Sequence, residues 1–283
     1  MLNVALDENK DVVTAFLQRE IYLSKKEMLF MEMIDFNKEL GSKVLIVDSY
    51  EEMSAMAAEI IINKIKQSDR FTLGLATGST PEGLYRNLAE DHKQNATSYK
   101  HVTTFNLDEY AGLSLEDENS YYYFMNHHLF NHLDIPRENI HLPNGTQENL
   151  EEECNQYEAM IEQNGGIDLQ LLGIGHNGHI GFNEPGTSFQ SKTHIVELDE
   201  VTREANARFF NSLEEVPTSA VTMGMSTIMN SKEILLIISG KGKAETARRL
   251  LEGEISEEFP ASLLKKHPNV TVIIDREAYD FTR

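Results

Sequence analysis

Short runs of apolar and β-branched residues alternate with amphipathic stretches along most of the chain. From Val44 onward, most of these runs are continuously apolar rather than alternating, which is typical of strands buried on both faces of a sheet. Because helical patterns separate the runs, the sequence predicts an α/β fold with a mostly parallel sheet and helices on both faces. The predicted strands are Val44–Asp48, Phe71–Thr77, Val102–Leu107, Ile167–Gly175, Glu233–Ser239 and Val270–Asp275.

Helix signals lie between the predicted strands. Ser49 and Glu52 form a capping box, which predicts a helix that continues to about Lys66. Thr80 is placed to cap a helix whose first residue is Pro81. Further helices are predicted over Tyr121–Leu133, Glu148–Asn164, Glu200–Phe210 and Lys241–Gly253.

The first 43 residues differ from the rest of the chain. The segment Asp11–Leu40 reads as one or two charged helices, with several methionines and no predicted strand. Its apolar residues do not form a clean stripe along either helix. We therefore divide the chain into a helical N-terminal extension, residues 1–43, and a single catalytic α/β domain, residues 44–283.

Composition and charge narrow the classes of partner. The chain has 46 acidic and 25 basic residues, and its formal net charge of −21 repels nucleic acid and anionic lipid. No apolar run is long enough to span a bilayer, and the acidic N-terminus is unlike a secretory signal. The one cysteine, Cys154, cannot form an internal disulfide. We expect a cytoplasmic protein that binds neither nucleic acid nor membrane.

Two predicted strand-to-helix turns are candidate anion sites. The first offers a flexible glycine, three hydroxyl groups and the free N–H groups of a helix start, although an ordinary Gly-Ser turn explains it equally well. The second carries Lys241 and Lys243 among glycines, which indicates an anion site in so acidic a chain. The residues of the first turn are Thr77, Gly78, Ser79 and Thr80.

Two further strand-end loops carry titratable side chains. Asp108 and Glu109 are adjacent, so their side chains are expected to point in opposite directions, and a helix cap or a salt bridge would also explain them. The loop Gly175–Gly186 places histidines, asparagines and a glutamate among glycines. Within it, His179 is the acid–base candidate, and Glu184 is close enough in sequence to orient the His179 ring. The spacing matches no standard metal signature.

Four separated motifs resemble the glucosamine-6-phosphate deaminase family, also called the glucosamine/galactosamine-6-phosphate isomerase family. They follow the family's order within a match that runs from about Val44 to the C-terminus. The resemblance implies a Rossmann-like sheet, no cofactor, and conversion of glucosamine 6-phosphate to fructose 6-phosphate and ammonia in amino-sugar breakdown. The motifs are Leu75–Pro81, Phe105–Tyr110, Gly175–Pro185 and Ala205–Phe210.

The resemblance also implies catalytic roles, residue by residue. His179, oriented and charged by Glu184, would open the pyranose ring, and Asp108 would then move a proton from C2 to C1 of the open chain. Some family members carry aspartate at the position of Asn177 in this chain. Because an amide cannot take a proton, we expect Asn177 to act in ring opening by orientation rather than by charge.

For the substrate, the resemblance implies a site for a small-molecule sugar phosphate. The phosphate would lie against the Gly78–Thr80 turn, with Arg208 and Lys243 supplying positive charge. No metal is implied. Family members differ in oligomeric state, so a monomer and a homo-oligomer both remain open.

Two alternatives to the deaminase remain. A sugar-phosphate hydrolase like 6-phosphogluconolactonase resembles this family in fold, but ester hydrolysis requires no base that acts on carbon. A non-catalytic sugar-phosphate sensor would not need Asp108, His179 and Glu184. Such regulators usually carry a basic DNA-binding module, whereas the N-terminal segment here is acidic.

Overall fold

The computed structural model describes residues 32–37, 42–198, 203, 207, 210 and 212–280. Its strands form an eight-stranded sheet, in the order β1-β2-β11-β10-β7-β3-β4-β6, and a three-stranded sheet, in the order β5-β9-β8. The strands are β1 (Glu32–Asn37), β2 (Ser42–Val47), β3 (Phe71–Leu75), β4 (Val102–Asn106), β5 (Asp108–Tyr110), β6 (Ile140–His141), β7 (Leu169–Leu172), β8 (His194–Glu197), β9 (Ser219–Thr222), β10 (Glu233–Ile238) and β11 (Val270–Asp275).

Helices cover both faces of the larger sheet. One face packs against α1 and α2, and the other packs against α4, α6 and α7. Every neighbouring pair in this sheet is parallel except β1 with β2, so the predicted α/β class is confirmed. The α-helices are α1 (Tyr50–Lys66), α2 (Glu82–Asn95), α3 (Tyr121–His128), α4 (Leu150–Gln163), α5 (Met225–Met229), α6 (Ala244–Glu252) and α7 (Arg276–Tyr279).

The six predicted strands are all present, and five of them end one to three residues earlier than expected. The predicted strand ends at Thr77 and Gly175 lie in loops, because the chain leaves the sheet there to form the candidate site. Among the described residues, no helix has both the length and the apolar character that crossing a bilayer requires.

The N-terminal prediction is wrong where the structure describes that segment. Residues 32–37 form β1, an antiparallel strand at the edge of the sheet, instead of a helix. Met33 packs on one face of the sheet, while Ile34 and Phe36 pack on the other. Packing on both faces and hydrogen bonds to the open edge of β2 stabilise a strand here. This stabilisation is larger than the weak preference of the segment for a helix. The rest of the predicted helical segment lies outside the described residues.

Helix starts and ends agree with the sequence to different degrees. Ser49 caps α1 as predicted, and its side chain accepts a hydrogen bond from the Glu52 N–H. Thr80 does not cap α2, because Pro81 is the N-cap residue and no side chain caps that end. The predicted helices Tyr121–Leu133 and Lys241–Gly253 each contain a short 3-10 turn beside a shorter α-helix.

All four candidate loops follow four neighbouring strands. In the sheet order β10-β7-β3-β4, the carboxyl end of each strand leads into one of the loops singled out from the sequence. Carboxyl ends of parallel strands lie at one edge of a sheet, where open α/β proteins bind their ligands. The fold therefore gathers the candidate residues at one edge.

Candidate active site

Asp108 is a buried carboxylate at the start of β5, where it lies opposite Thr222 of β9. Its side chain is only 5% exposed. Burial, and then the negative charge of Glu109, raise the pKa of Asp108 to about 8. The Asp108 Oδ2 lies 3.1 Å from the point that a Cβ on Gly181 would occupy, so this carboxylate faces the glycine-rich loop after β7.

Glu109 faces a different part of the molecule. Its carboxylate accepts hydrogen bonds from the backbone N–H groups of Tyr110, Tyr121 and Tyr122, the last two of which begin α3. Burial raises the pKa of Glu109, against the lowering effect of these three bonds. The predicted opposite orientation of Asp108 and Glu109 is confirmed, and Glu109 links β5 to α3.

The ring of His179 lies directly on Gly175. A Cβ built on Gly175 would be 2.2 Å from both Cε1 and Nε2 of the imidazole, so only glycine leaves room for the ring at this position. The N–H of Gly175 donates to the His179 carbonyl at 2.9 Å. The loop therefore turns back on itself, and the imidazole rests on the turn.

Glu184 and Asn177 hold His179 from the other side. The Nδ1 of His179 lies 3.1 Å from Oε1 of Glu184, but it makes no aligned hydrogen bond with any residue that the structure describes. The contact is therefore a close approach without a directed hydrogen bond. Asn177 donates from Nδ2 to Oε2 of Glu184 at 2.6 Å and accepts from the N–H of His179 at 3.2 Å, so its amide bridges the two.

The first candidate anion turn is open to solvent. Gly78 has a φ of +104°, and nothing lies within 4 Å of the position its Cβ would occupy. The hydroxyl of Tyr50 donates to the carbonyl of Ser79 at 3.2 Å and accepts from the N–H of Gly83 at 2.8 Å. Tyr50 thus fixes this turn to the first residues of α2, while Thr77 and Thr80 remain half-exposed beside it.

The second turn reaches the glycine-rich loop through one of its two lysines. Lys243 is half-buried, and its Nζ donates to the carbonyl of Ile174 at 2.8 Å. Burial lowers the pKa of Lys243. The positive charge of Lys243, and then burial, lower the pKa of His176. Lys241 is exposed and has no such contact with the loop.

Of the two arginines in the predicted Glu200–Phe210 helix, one lies among the described residues. Arg203 donates to the carbonyls of Leu213 and Val216 at 2.8 and 3.0 Å. Its guanidinium group therefore stabilises the backbone of residues 213–216 and donates no hydrogen bond to the site loops that the structure describes. Arg208 lies outside the described residues, and its role stays a prediction.

Some residues of the site were not predicted from the sequence. Thr222 accepts from the Phe182 N–H at 3.1 Å, and Thr246 donates to the carbonyl of His176 at 2.8 Å. These two bonds join segments that are 40 and 70 residues apart, and no local pattern marks either threonine. Within the described residues, no three His, Cys, Asp or Glu side chains are arranged to hold a metal ion.

The profile of glucosamine-6-phosphate isomerases/6-phosphogluconolactonase matches residues 48–273 of the chain. The chain belongs to this family. The matched range contains all four motifs that carried the resemblance, and it begins after β1 and β2.

Close relatives within the family are named as deaminases. The chain is 61% identical over 235 residues to a glucosamine-6-phosphate deaminase of Shouchella clausii (strain KSM-K16), a match that covers 83% of this chain and 95% of that protein. It is 56% identical over 236 residues to glucosamine-6-phosphate deaminase 1 of Bacillus subtilis (strain 168), with 83% and 98% covered.

Solved structures of family members share the fold. A structure described as a monomeric glucosamine-6-phosphate deaminase has a TM-score of 0.82 and 55% identity, and the match covers 84% of this chain and 99% of that one. A 6-phosphogluconolactonase from Thermotoga maritima has a TM-score of 0.66 at 20% identity, with 83% and 100% covered. The second likeness concerns the fold alone.

Proposed function

We propose that the protein is a glucosamine-6-phosphate deaminase, which converts D-glucosamine 6-phosphate and water to D-fructose 6-phosphate and ammonia. The observation that carries this proposal is a buried carboxylate, Asp108, facing the loop that holds His179 and Glu184. The close relatives named as deaminases support the same substrate. We place the reaction in the breakdown of amino sugars in the cytoplasm.

Ring opening is the first step. His179 takes the proton of the C1 hydroxyl and delivers a proton to the ring oxygen as the C1–O5 bond breaks, which leaves an aldehyde at C1. A histidine can both donate and accept a proton near neutral pH. The Glu184 carboxylate lies 3.1 Å from Nδ1 of His179, and the bridging amide of Asn177 keeps the two side chains together.

Asp108 carries out the second step. Its carboxylate removes the proton from C2 of the open chain while the C1 oxygen takes a proton from the substrate's own C2 ammonium group, and this produces a neutral enolamine. Asp108 then returns the proton to C1, leaving an iminium group at C2. Water adds to C2 and ammonia leaves, which gives the ketose. A carboxyl group whose pKa is about 8 is a stronger base than an ordinary aspartate and can still return the proton near neutral pH.

The phosphate would be held where basic side chains and backbone N–H groups make the local electrostatic potential positive on an otherwise negatively charged protein. The turn formed by Thr77, Gly78, Ser79 and Thr80 lies next to the start of α2, where backbone N–H groups favour an anion. Lys243, in the turn after β10, supplies a positive charge, and we assign Arg208 to the same group. The chain has a net charge of −21, so such a local site is required.

The test is to incubate the protein with glucosamine 6-phosphate and to follow ammonia and fructose 6-phosphate together. We expect equal amounts of both products, and a kcat roughly 10²- to 10⁴-fold lower in Asp108→Asn, because a positioned acid–base group contributes a factor of this size. Absence of turnover by folded wild-type protein would refute the proposal. A wild-type rate in Asp108→Asn would leave the reaction standing but remove Asp108 from its role.

A test of 6-phosphogluconolactone as substrate distinguishes a lactonase from a deaminase. Hydrolysis of 6-phosphogluconolactone needs no base that acts on carbon, so a lactonase would retain activity in Asp108→Asn. The sensor alternative predicts binding of the sugar phosphate without release of ammonia. Neither alternative accounts for the burial of Asp108, which is costly for a carboxylate.

The assembly and the domain division are also proposals. A relative of 55% identity is described as monomeric, which supports a monomer here, and light scattering on the purified protein tests it. We propose that residues 44–283 form the catalytic domain and that residues 1–43 are an extension whose β1, with the first two residues of β2, joins the sheet of that domain. Deletion of residues 1–31, which leaves β1 in place, should retain turnover.

A further inference from the structure

Two hydrogen bonds join the second anion turn to the glycine-rich loop. Besides the bond from Lys243 to the carbonyl of Ile174, the hydroxyl of Thr246 donates to the carbonyl of His176 at 2.8 Å. Thr246 lies in the first turn of α6 and is 2% exposed. A helical threonine commonly bonds to a carbonyl of its own preceding turn. Here the hydroxyl instead reaches a loop 70 residues earlier in the chain.

These two bonds hold the peptide group just before Gly175 and the peptide group between His176 and Asn177. The carbonyl of Ile174 belongs to the peptide before Gly175, and the carbonyl of His176 belongs to the peptide that begins Asn177. Gly175 is the residue on which the His179 ring rests. Asn177 is the residue whose amide bridges His179 and Glu184. A tilt of either peptide would therefore move the imidazole or its bridging amide.

We propose that Thr246 is a positioning residue, which couples the phosphate-binding turn to His179 through the carbonyl of His176. The proposal rests on the proposed function, because it assigns His179 to ring opening and Lys243 to the phosphate. Lys243 and Thr246 are one helical turn apart at the start of α6. A phosphate bound at Lys243 therefore orders the same element that fixes the loop under His179, and binding energy at the phosphate is used to orient the imidazole.

The decisive variant is Thr246→Val, which removes the hydroxyl and keeps the shape. Its control is Thr72→Val, because Thr72 is fully buried and its hydroxyl has no hydrogen-bond partner among the residues that the structure describes. We expect Thr246→Val to lower kcat about two- to tenfold, the worth of one neutral hydrogen bond. KM and inhibition by inorganic phosphate should change by less than about twofold, because Lys243 remains in place. Thr72→Val should keep the wild-type kcat.

A double-mutant cycle distinguishes positioning of His179 from general destabilisation. If Thr246 acts through His179, the valine substitution should have little further effect on the residual rate of His179→Ala, since coupled residues are not additive. The same fold loss in both backgrounds would overturn the proposal. So would equal kcat values for Thr246→Val, Thr72→Val and wild type, or a loss confined to phosphate affinity.

Thr246→Ser provides a second, independent variant. It keeps the hydroxyl and loses a methyl group, so it should retain kcat to within about twofold of wild type. A folded serine variant with a larger loss of kcat would overturn the proposal even if Thr246→Val does not fold. Failure of the wild type to release ammonia from glucosamine 6-phosphate would instead refute the proposed function, and this outcome is seen in the same assay.

Discussion

Asp108 and Glu109 are neighbours in β5 whose carboxylates face different partners. Asp108 faces Gly181 of the glycine-rich loop, whereas Glu109 accepts three backbone N–H groups, two of them at the start of α3. Both are almost fully buried, and burial together with the charge of Glu109 raises the pKa of Asp108. Glu109 is thus a structural link that also adjusts the base next to it.

Replacing Glu109 should move the acid side of the pH profile to lower pH. Asp108 must be ionised to act as a base, so kcat/KM should rise with pH through its pKa, which is about 8. Glu109→Gln removes a negative charge that raises this pKa, so the rise of kcat/KM with pH should occur at lower pH in this variant. The measurement is kcat/KM for glucosamine 6-phosphate between about pH 5 and 9.

A matched control separates charge from stability. Glu109→Gln also weakens the attachment of α3, because an amide cannot accept all three N–H groups. Ser120→Ala removes the N-cap of the same helix, where Ser120 accepts from the N–H of Tyr123, and it should cost about 1 kcal/mol with no change of charge. In Ser120→Ala, kcat/KM should rise at the same pH as in wild type. If the rise in Glu109→Gln stays at the wild-type pH or moves to higher pH, the charge of Glu109 does not raise the pKa of Asp108.

Asp108→Asn should be more stable than wild type at neutral and alkaline pH. Because the folded-state pKa of Asp108 lies above the unfolded value of about 3.9, the contribution of Asp108 to stability is most favourable below the unfolded pKa and is lost as pH rises through the folded pKa. Each tenfold difference in the acid dissociation constant between the folded and unfolded states is worth about 1.4 kcal/mol, or roughly 3–6 °C in Tm for a domain of this size. Urea unfolding of both proteins from about pH 4 to 8.5 tests this. A stability difference that is constant across this range would refute the buried-charge explanation.

Lys243 and Lys241 should differ in their effect on substrate binding. Lys243→Met removes a half-buried ammonium group, and it should raise KM about 10- to 100-fold, as expected for a charge-assisted hydrogen bond. Lys241→Met removes an exposed lysine two positions away and should change KM by less than about twofold. Inhibition by inorganic phosphate should follow the same pattern. If the two substitutions raise KM equally, the phosphate is bound by the combined positive charge of the turn and not by a direct contact with Lys243.

The larger sheet could be predicted because its signal is local. Strands buried on both faces, such as β10 and β11, are continuous apolar runs, and helical patterns between them require parallel neighbours. The edge strand β1 was missed because its residues are polar and apolar in no clear period. The small sheet was missed because β5 has only three residues and pairs with β9 more than a hundred positions later.

The candidate site could be predicted in its residue types but not in its contacts. The glycine-rich loop could be identified from its composition, and the family resemblance assigned roles to Asp108, His179 and Glu184. The bond from Thr246 to the carbonyl of His176 has no local signal, since it depends on how α6 packs beside the loop. Likewise, the sequence does not distinguish Gly175, which supports a ring, from Gly173, where an added Cβ would contact nothing.

Gly175 and Gly173 therefore provide the sharpest test of the site geometry. A methyl group on Gly175 would lie 2.2 Å from atoms of the His179 ring, whereas a methyl group on Gly173 would have no neighbour within 4 Å. Neither glycine has a φ in the left-handed region, so alanine strains neither backbone. Gly175→Ala should displace the imidazole by about an ångström or more and lower kcat about 100-fold, while Gly173→Ala should stay within about twofold of wild type. Because both variants should remain folded, equal kcat values would show that His179 does not need its present position, and its role in ring opening would have to be abandoned.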